Sequence, residues 1–273
     1  MGPGAALAEL RARAPMLHLI TNFVTVNDCA NVVLAAGASP TMARHPEEVE
    51  EITAAAAGLV CNLGAVESGE AMLLAAARSR ALGHPVVLDP VAAGASSLRR
   101  RLAARLLDTG AVTVIRGNAS EIRALALDAG AGDGVDAAPE DLVTGENLAR
   151  AADLVRNLAR RTGAAVVLSG ALDLMTDGRR VLAGRNGCPE MARITGSGCM
   201  LSALTGAFCA ALPGRPLEAA LAAVSALGVC GERADRRRRA NGTGNAAFRS
   251  DLIDGVELLT PDILEQEARY DEL

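Results

Sequence analysis

Short apolar runs alternate along this chain with longer stretches of helical period. The runs lie near Met16–Ile20, Gly58–Asn62, Pro85–Asp89, Val112–Ile115 and Ala164–Ser169. Between them, Glu67–Leu82, Leu98–Asp108 and Glu146–Arg161 place apolar residues three and four apart, the spacing of one helix face. Strands buried on both faces read as continuous apolar runs, so the pattern predicts an α/β fold with a mostly parallel sheet covered by helices. Leu172 to Leu182 reads as two short strands around the Asp177-Gly178 turn, a hairpin expected at the sheet edge. Asp128–Glu140, rich in Gly, Ala and Asp, reads as an irregular surface connection within one domain spanning 1–273.

Several runs end in a polar or small group beside Gly or Pro: Asn62-Leu63-Gly64, Asp89-Pro90, Arg116-Gly117-Asn118 and Ser169-Gly170. In open α/β sheets the ligand crevice lies at such carboxyl ends. Later in the chain, Thr195-Gly196-Ser197-Gly198-Cys199 opens directly onto a helical stretch, Met200–Phe208. A glycine turn at a helix start lets backbone N–H groups converge on an anion, helped by the helix dipole, and phosphate is the natural candidate. The same dipole is expected to lower the pKa of the Cys199 thiol. Tight turns without ligands share this pattern, and by itself it leaves a structural reading equally open.

Composition narrows the partners. The chain has 273 residues, 50% hydrophobic but only 1% aromatic, and a formal net charge of −5. A net acidic chain is poorly suited to a nucleic-acid backbone, and the cluster Arg233 with Arg236 to Arg239 reads as a solvated helix end. The six cysteines lack any Cys-x-x-Cys pair, as expected of reduced thiols in the cytoplasm. No run reads as a signal peptide or membrane span. His18, His45 and His84 lack metal-ligand spacing and read as structural or surface residues.

The blocks Ile20-Thr21-Asn22-Phe23-Val24-Thr25-Val26-Asn27-Asp28-Cys29-Ala30-Asn31, Gly37-Ala38-Ser39-Pro40-Thr41-Met42-Ala43, Val86 to Gly94 and Ile115 to Ile122, followed by the Thr195–Cys199 turn, resemble the hydroxyethylthiazole kinase family in the family's order. They run from about Leu17 to Phe248. The resemblance implies a ribokinase-like fold and ATP-dependent phosphorylation of the primary hydroxyl of 4-methyl-5-(2-hydroxyethyl)thiazole. It also implies Mg²⁺ as cofactor and a homotrimer whose pockets lie at subunit interfaces.

By the same resemblance, Cys199 stands where related kinases carry an aspartate base. Arg116, Ser169, Gly196, Ser197 and Gly198 would contact ATP, with Ser169 replacing the usual Thr. Asp89 and Glu121 would hold the metal through water, and Asn22, Val24, Asn27, Met42 and Gly196 would surround the thiazole. Asn241 to Phe248 resembles a Gly-rich segment bordering the nucleotide. The residues alone allow plainer roles: Asp89 as a turn carboxylate, Glu121 complementing its helix dipole beside an Asn118 cap, and Arg116 as a paired surface residue. Three alternatives stay open: a related kinase of hydroxymethylpyrimidine or a sugar, a dinucleotide-binding oxidoreductase, and a non-catalytic thiazole or nucleotide sensor. The late position of the glycine turn speaks against the oxidoreductase.

Overall fold

The computed structural model describes residues 1–127, 143 and 147–273. One nine-stranded sheet runs through the molecule in the order β2-β1-β3-β4-β5-β6-β7-β8-β9. Its parallel part consists of β1 (Met16–Ile20), β2 (Ser39–Thr41), β3 (Gly58–Asn62), β4 (Val86–Asp89), β5 (Val112–Asn118) and β6 (Ala165–Ser169). The antiparallel part is β7 (Asp173–Thr176), β8 (Val181–Gly184) and β9 (Tyr270–Glu272). The hairpin forms as expected, but it is not the edge: β9 adds outside β8. The sequence Tyr-Asp-Glu carries no apolar alternation, and its strand character comes from the ladder it completes.

The parallel strands are buried, and alternate residues feed two cores. Leu17, Leu19, Val60, Val87, Val114 and Val167 face one core. It is shared with α1 (Pro3–Arg13), α2 (Val26–Ala36), α8 (Ser197–Ala211), α9 (Pro216–Asn241), α10 (Asn245–Leu258) and α11 (Pro261–Glu267). Ile20, Leu59, Cys61, Leu88, Ile115 and Leu168 face the other, against α3 (Val49–Ala55), α4 (Gly69–Leu82), α5 (Ser97–Asp108), α6 (Ala119–Ala126) and α7 (Leu148–Thr162). Helices therefore cover both faces. The helix read from 67 begins at Gly69, because residues 63–68 form a 3-10 turn after Asn62 accepts the Gly64 N–H. The connection read at 128–140 lies outside the described residues.

Helix α8 is buried almost all round and packs on β1, β3 and β4. Gly206 makes that approach possible: a Cβ there would stand 2.5 Å from Val60 Cγ2 and 3.2 Å from Leu17 Cδ1. The arginine run of α9 is paired, Arg233 and Arg236 with Glu267, Arg237 with Asp251, and Arg238 and Arg239 with Asp235, in keeping with a solvated helix end.

Candidate active site

The carboxyl ends of β1, β3, β4, β5 and β6 converge on the amino end of α8. Parallel register sets Asn62 beside Asp89, and Asn118 beside Ser169. Gly196 precedes α8 in the left-handed region, with φ 91°, where a side chain is strained. A Cβ on it would also meet Thr25 Cγ2 at 2.8 Å. Gly198, one residue into the helix, lies against Arg116, whose Nη1 would stand 2.7 Å from an added Cβ. Arg116 in turn donates to the Ser169 hydroxyl and lies 3.8 Å from Asp89 Oδ2. A guanidinium, a hydroxyl and a helix N-terminus thus face one space, the chemistry that holds a phosphate.

Cys199 occupies the first turn of α8. Its Sγ accepts from Asn22 Nδ2 at 3.4 Å and from Asn62 Nδ2 at 3.2 Å. Each amide is itself locked. Asn22 Oδ1 accepts the N–H groups of Val24 and Thr25; Asn62 Oδ1 accepts from Gly64 N and Asn22 Nδ2. Burial pushes the thiol pKa up, the charge of Asp89 adds to the rise, and the bonds from Thr25, Asn22 and Asn62 only oppose it. The lowered pKa expected from the helix dipole is therefore corrected, because desolvation and a neighbouring carboxylate outweigh a dipole acting on one turn.

Asp89 is fully buried. Its Oδ2 accepts from Asn62 Nδ2 at 2.9 Å and Ser202 Oγ at 2.7 Å, while Oδ1 has no partner. Burial pushes its pKa up to about 7; Arg116 opposes that rise and Glu121 adds to it. Glu121 closes a capping box with Asn118: Oε2 accepts Asn118 N at 2.9 Å, and Oε1 accepts Ala92 N at 3.0 Å. The second bond fixes the loop after Asp89 where Ala92 adopts φ 57°. Glu121 is thus a cap as well as a neighbour of Asp89.

The remaining residues are more dispersed. Val24 is 56% exposed. Asn27 is also exposed and bonds to Asn31 on α2. Met42 follows β2, half-buried, against the same core as Cys199. The segment 241–248 supplies the start of α10, where Asn245 Nδ2 bonds to Arg193 O at 3.5 Å, just ahead of the glycine turn. Four participants had no role assigned from the sequence. Asn62, Ser202 and Thr25 surround Asp89 and Cys199. Asp173, at the start of β7, accepts the Gly170 N–H at 2.9 Å, and burial raises its pKa to about 6 against the opposing pull of that bond and of Arg116.

A model of the hydroxyethylthiazole kinase family matches residues 7–262. The hydroxyethylthiazole kinase of Clostridium acetobutylicum is 46% identical over 267 residues, covering 97% of each chain. That of Desulfovibrio desulfuricans is 47% identical over 262 residues, covering 93% of this chain and 92% of its own. Among solved structures, a hydroxyethylthiazole kinase protein from Pyrococcus horikoshii OT3 superposes with TM-score 0.86 at 36% identity, over 99% of this chain and 98% of that one. An ADP complex of Bacillus subtilis pyridoxal kinase superposes with TM-score 0.57 at 18% identity, over 79% and 90%, a likeness of fold alone.

Proposed function

This chain belongs to the hydroxyethylthiazole kinase family, and we propose that it transfers the γ-phosphoryl group of ATP to the primary hydroxyl of 4-methyl-5-(2-hydroxyethyl)thiazole, yielding the thiazole phosphate and ADP in thiamine biosynthesis or salvage. The observation that carries the reading is the convergence of Arg116, Ser169 and the Gly196–Gly198 turn beside Cys199 and Asp89, in a chain that matches the family over nearly its whole length.

In this reading the γ-phosphate lies over Gly196, Ser197 and Gly198, held by backbone N–H groups and the guanidinium fork of Arg116. Ser169 fixes that fork from the next strand. The substrate hydroxyl meets the phosphate on the Cys199 side, with Asn22, Val24, Asn27 and Met42 around the thiazole. Burial favours the neutral thiol, so the main contribution of Cys199 is to orient the hydroxyl rather than to strip its proton. That suffices, because phosphoryl transfer passes through a loose transition state that asks little of a base. The two amides fix the direction of the sulfur.

Mg²⁺ suits the open Asp89 oxygen, since hard carboxylate oxygens and water are its usual ligands. Both Glu121 oxygens already accept backbone N–H groups, so Glu121 would contribute through water. Among the described residues no three His, Cys, Asp or Glu side chains form a cage. When bound, Mg²⁺ would neutralise charge on the β- and γ-phosphates. Asp89 in its ionised form balances that ion.

The proposal extends to a single domain over 1–273, a cytoplasmic enzyme and a homotrimer. Phe23, Val24 and Val26, exposed at 77%, 56% and 38% beside Asn22, support a neighbouring subunit that covers the thiazole side. No described helix is long and apolar enough to cross a membrane. An ADP-release assay offering hydroxyethylthiazole, hydroxymethylpyrimidine and ribose tests the reaction. Turnover is expected with the thiazole; turnover confined to either other acceptor, or to none, overturns the reading.

A further inference from the structure

Directly behind the glycine turn lies a buried carboxylate. Asp28, in the first turn of α2, has a side chain only 5% exposed. A Cβ built on Gly196 would stand 3.9 Å from its Oδ2. A negative charge in that position opposes any anion held on the front of the turn. At an effective dielectric near 20, two like charges within about 10 Å of each other repel by well over 1 kcal/mol, enough to weaken binding by about tenfold or more. Both oxygens of Asp28 are, however, taken by one guanidinium from α10: Arg249 Nε donates to Oδ2 at 2.8 Å, and Nη2 donates to Oδ1. Such a fork cancels the charge and fixes its geometry together. It also ties α2, which follows the Asn22 loop, to α10, which opens beside the Arg193 carbonyl.

We propose that Arg249 is a charge-balancing and positioning residue for the phosphate turn: by engaging both oxygens of Asp28, it removes a negative charge from behind Gly196 and fixes α2 against α10. The inference rests on the reading that nucleotide phosphates lie over Gly196–Gly198. Its signature is that the harm of losing Arg249 comes from the stranded carboxylate and not from the missing arginine. Packing alone does not produce that pattern, because removing a second side chain from a packed pair does not repair the first loss.

The test compares the wild-type chain with Arg249→Ala, Arg249→Lys, Asp28→Asn and the double variant Asp28→Asn/Arg249→Ala. ATP affinity is measured by calorimetric titration, KM and kcat by ADP release, and folding by thermal melting. Arg249→Ala is expected to weaken ATP binding about tenfold or more with kcat changed less than about threefold. Asp28→Asn and the double variant are expected to stay within about threefold of wild type, and Arg249→Lys to fall between. Unchanged ATP affinity in Arg249→Ala, or a double variant no better than Arg249→Ala, overturns the proposal. If Arg249→Ala does not fold, Arg249→Lys and the double variant carry the same comparison. Wild-type protein that binds ATP yet fails to phosphorylate the thiazole refutes the function reading while the titrations still decide the role of Arg249.

Discussion

Replacing Asp89 by Asn removes a carboxylate that the folded chain ionises only reluctantly. Burial moves this group from its ordinary value of 3.8 to about 7. Between those two values the folded protein keeps the proton that the unfolded chain has released, so folding weakens as pH rises across that window. From pH 5 to pH 8 the group is ionised throughout in the unfolded chain but becomes so in the fold only near pH 7. The span from 5 to about 7, at 1.36 kcal/mol for each pH unit, gives about 3 kcal/mol of stability lost by the parent and spared in the variant. For a chain of this size that corresponds to roughly 6 °C in melting temperature. The amide introduced by Asp89→Asn keeps an oxygen for Asn62 and Ser202, and any constant cost of that amide cancels when each protein is compared with itself. Asp173, also raised, titrates alike in both proteins. Melting curves at pH 5 and pH 8, without nucleotide or divalent ion, supply the measurement. Equal pH-dependent shifts in the two proteins, within about 1 °C, would refute the view that Asp89 is ionised at the expense of the fold.

Three other substitutions probe separate parts of the site and its support. Cys199→Ser keeps an acceptor for Asn22 and Asn62 but shortens its reach, so kcat is expected to fall about a hundredfold with the thiazole KM within about threefold; a defect carried by KM contradicts the orienting role. Gly198→Ala sets a methyl 2.7 Å from Arg116 Nη1, and displacing that buried guanidinium should raise the KM for ATP about tenfold with little change in melting temperature. Unaltered ATP affinity rules out Arg116 as the phosphate contact. Gly206→Ala drives a methyl into Val60 and is expected to cost about 1–3 kcal/mol of stability, read as a lower melting temperature; a variant as stable as the parent shows that α8 has room to shift.

The parallel strands were legible because both of their faces are buried, so that Ala165–Leu168 or Leu59–Cys61 reads as an unbroken apolar run. Strands β2 and β9 were not, since Ser39-Pro40-Thr41 and Tyr270-Asp271-Glu272 become strands only through pairing with β1 and β8. The glycine turn and the start of α8 were visible locally. The state of the thiol was not, because its rise comes from burial and from Asp89 on another strand. Asn62 and Ser202 are ordinary neutral residues along the chain, and only strand register and helix docking bring them to Asp89. The Asp28–Arg249 pair spans two helices on distant parts of the sequence, beyond the reach of any local pattern.

The short strand β9 has a colloidal consequence. Without it, the backbone of Val181–Gly184 would offer an open row of donors and acceptors to another chain, the usual template for edge-to-edge aggregation. With it, the outermost row belongs to three exposed residues, two of them acidic, whose carboxylates are engaged by Arg180 and Arg185. A polar edge three residues long is a poor partner for a second sheet. Among the described residues, the antiparallel flank is thus guarded by a segment too short and too charged to recruit strangers.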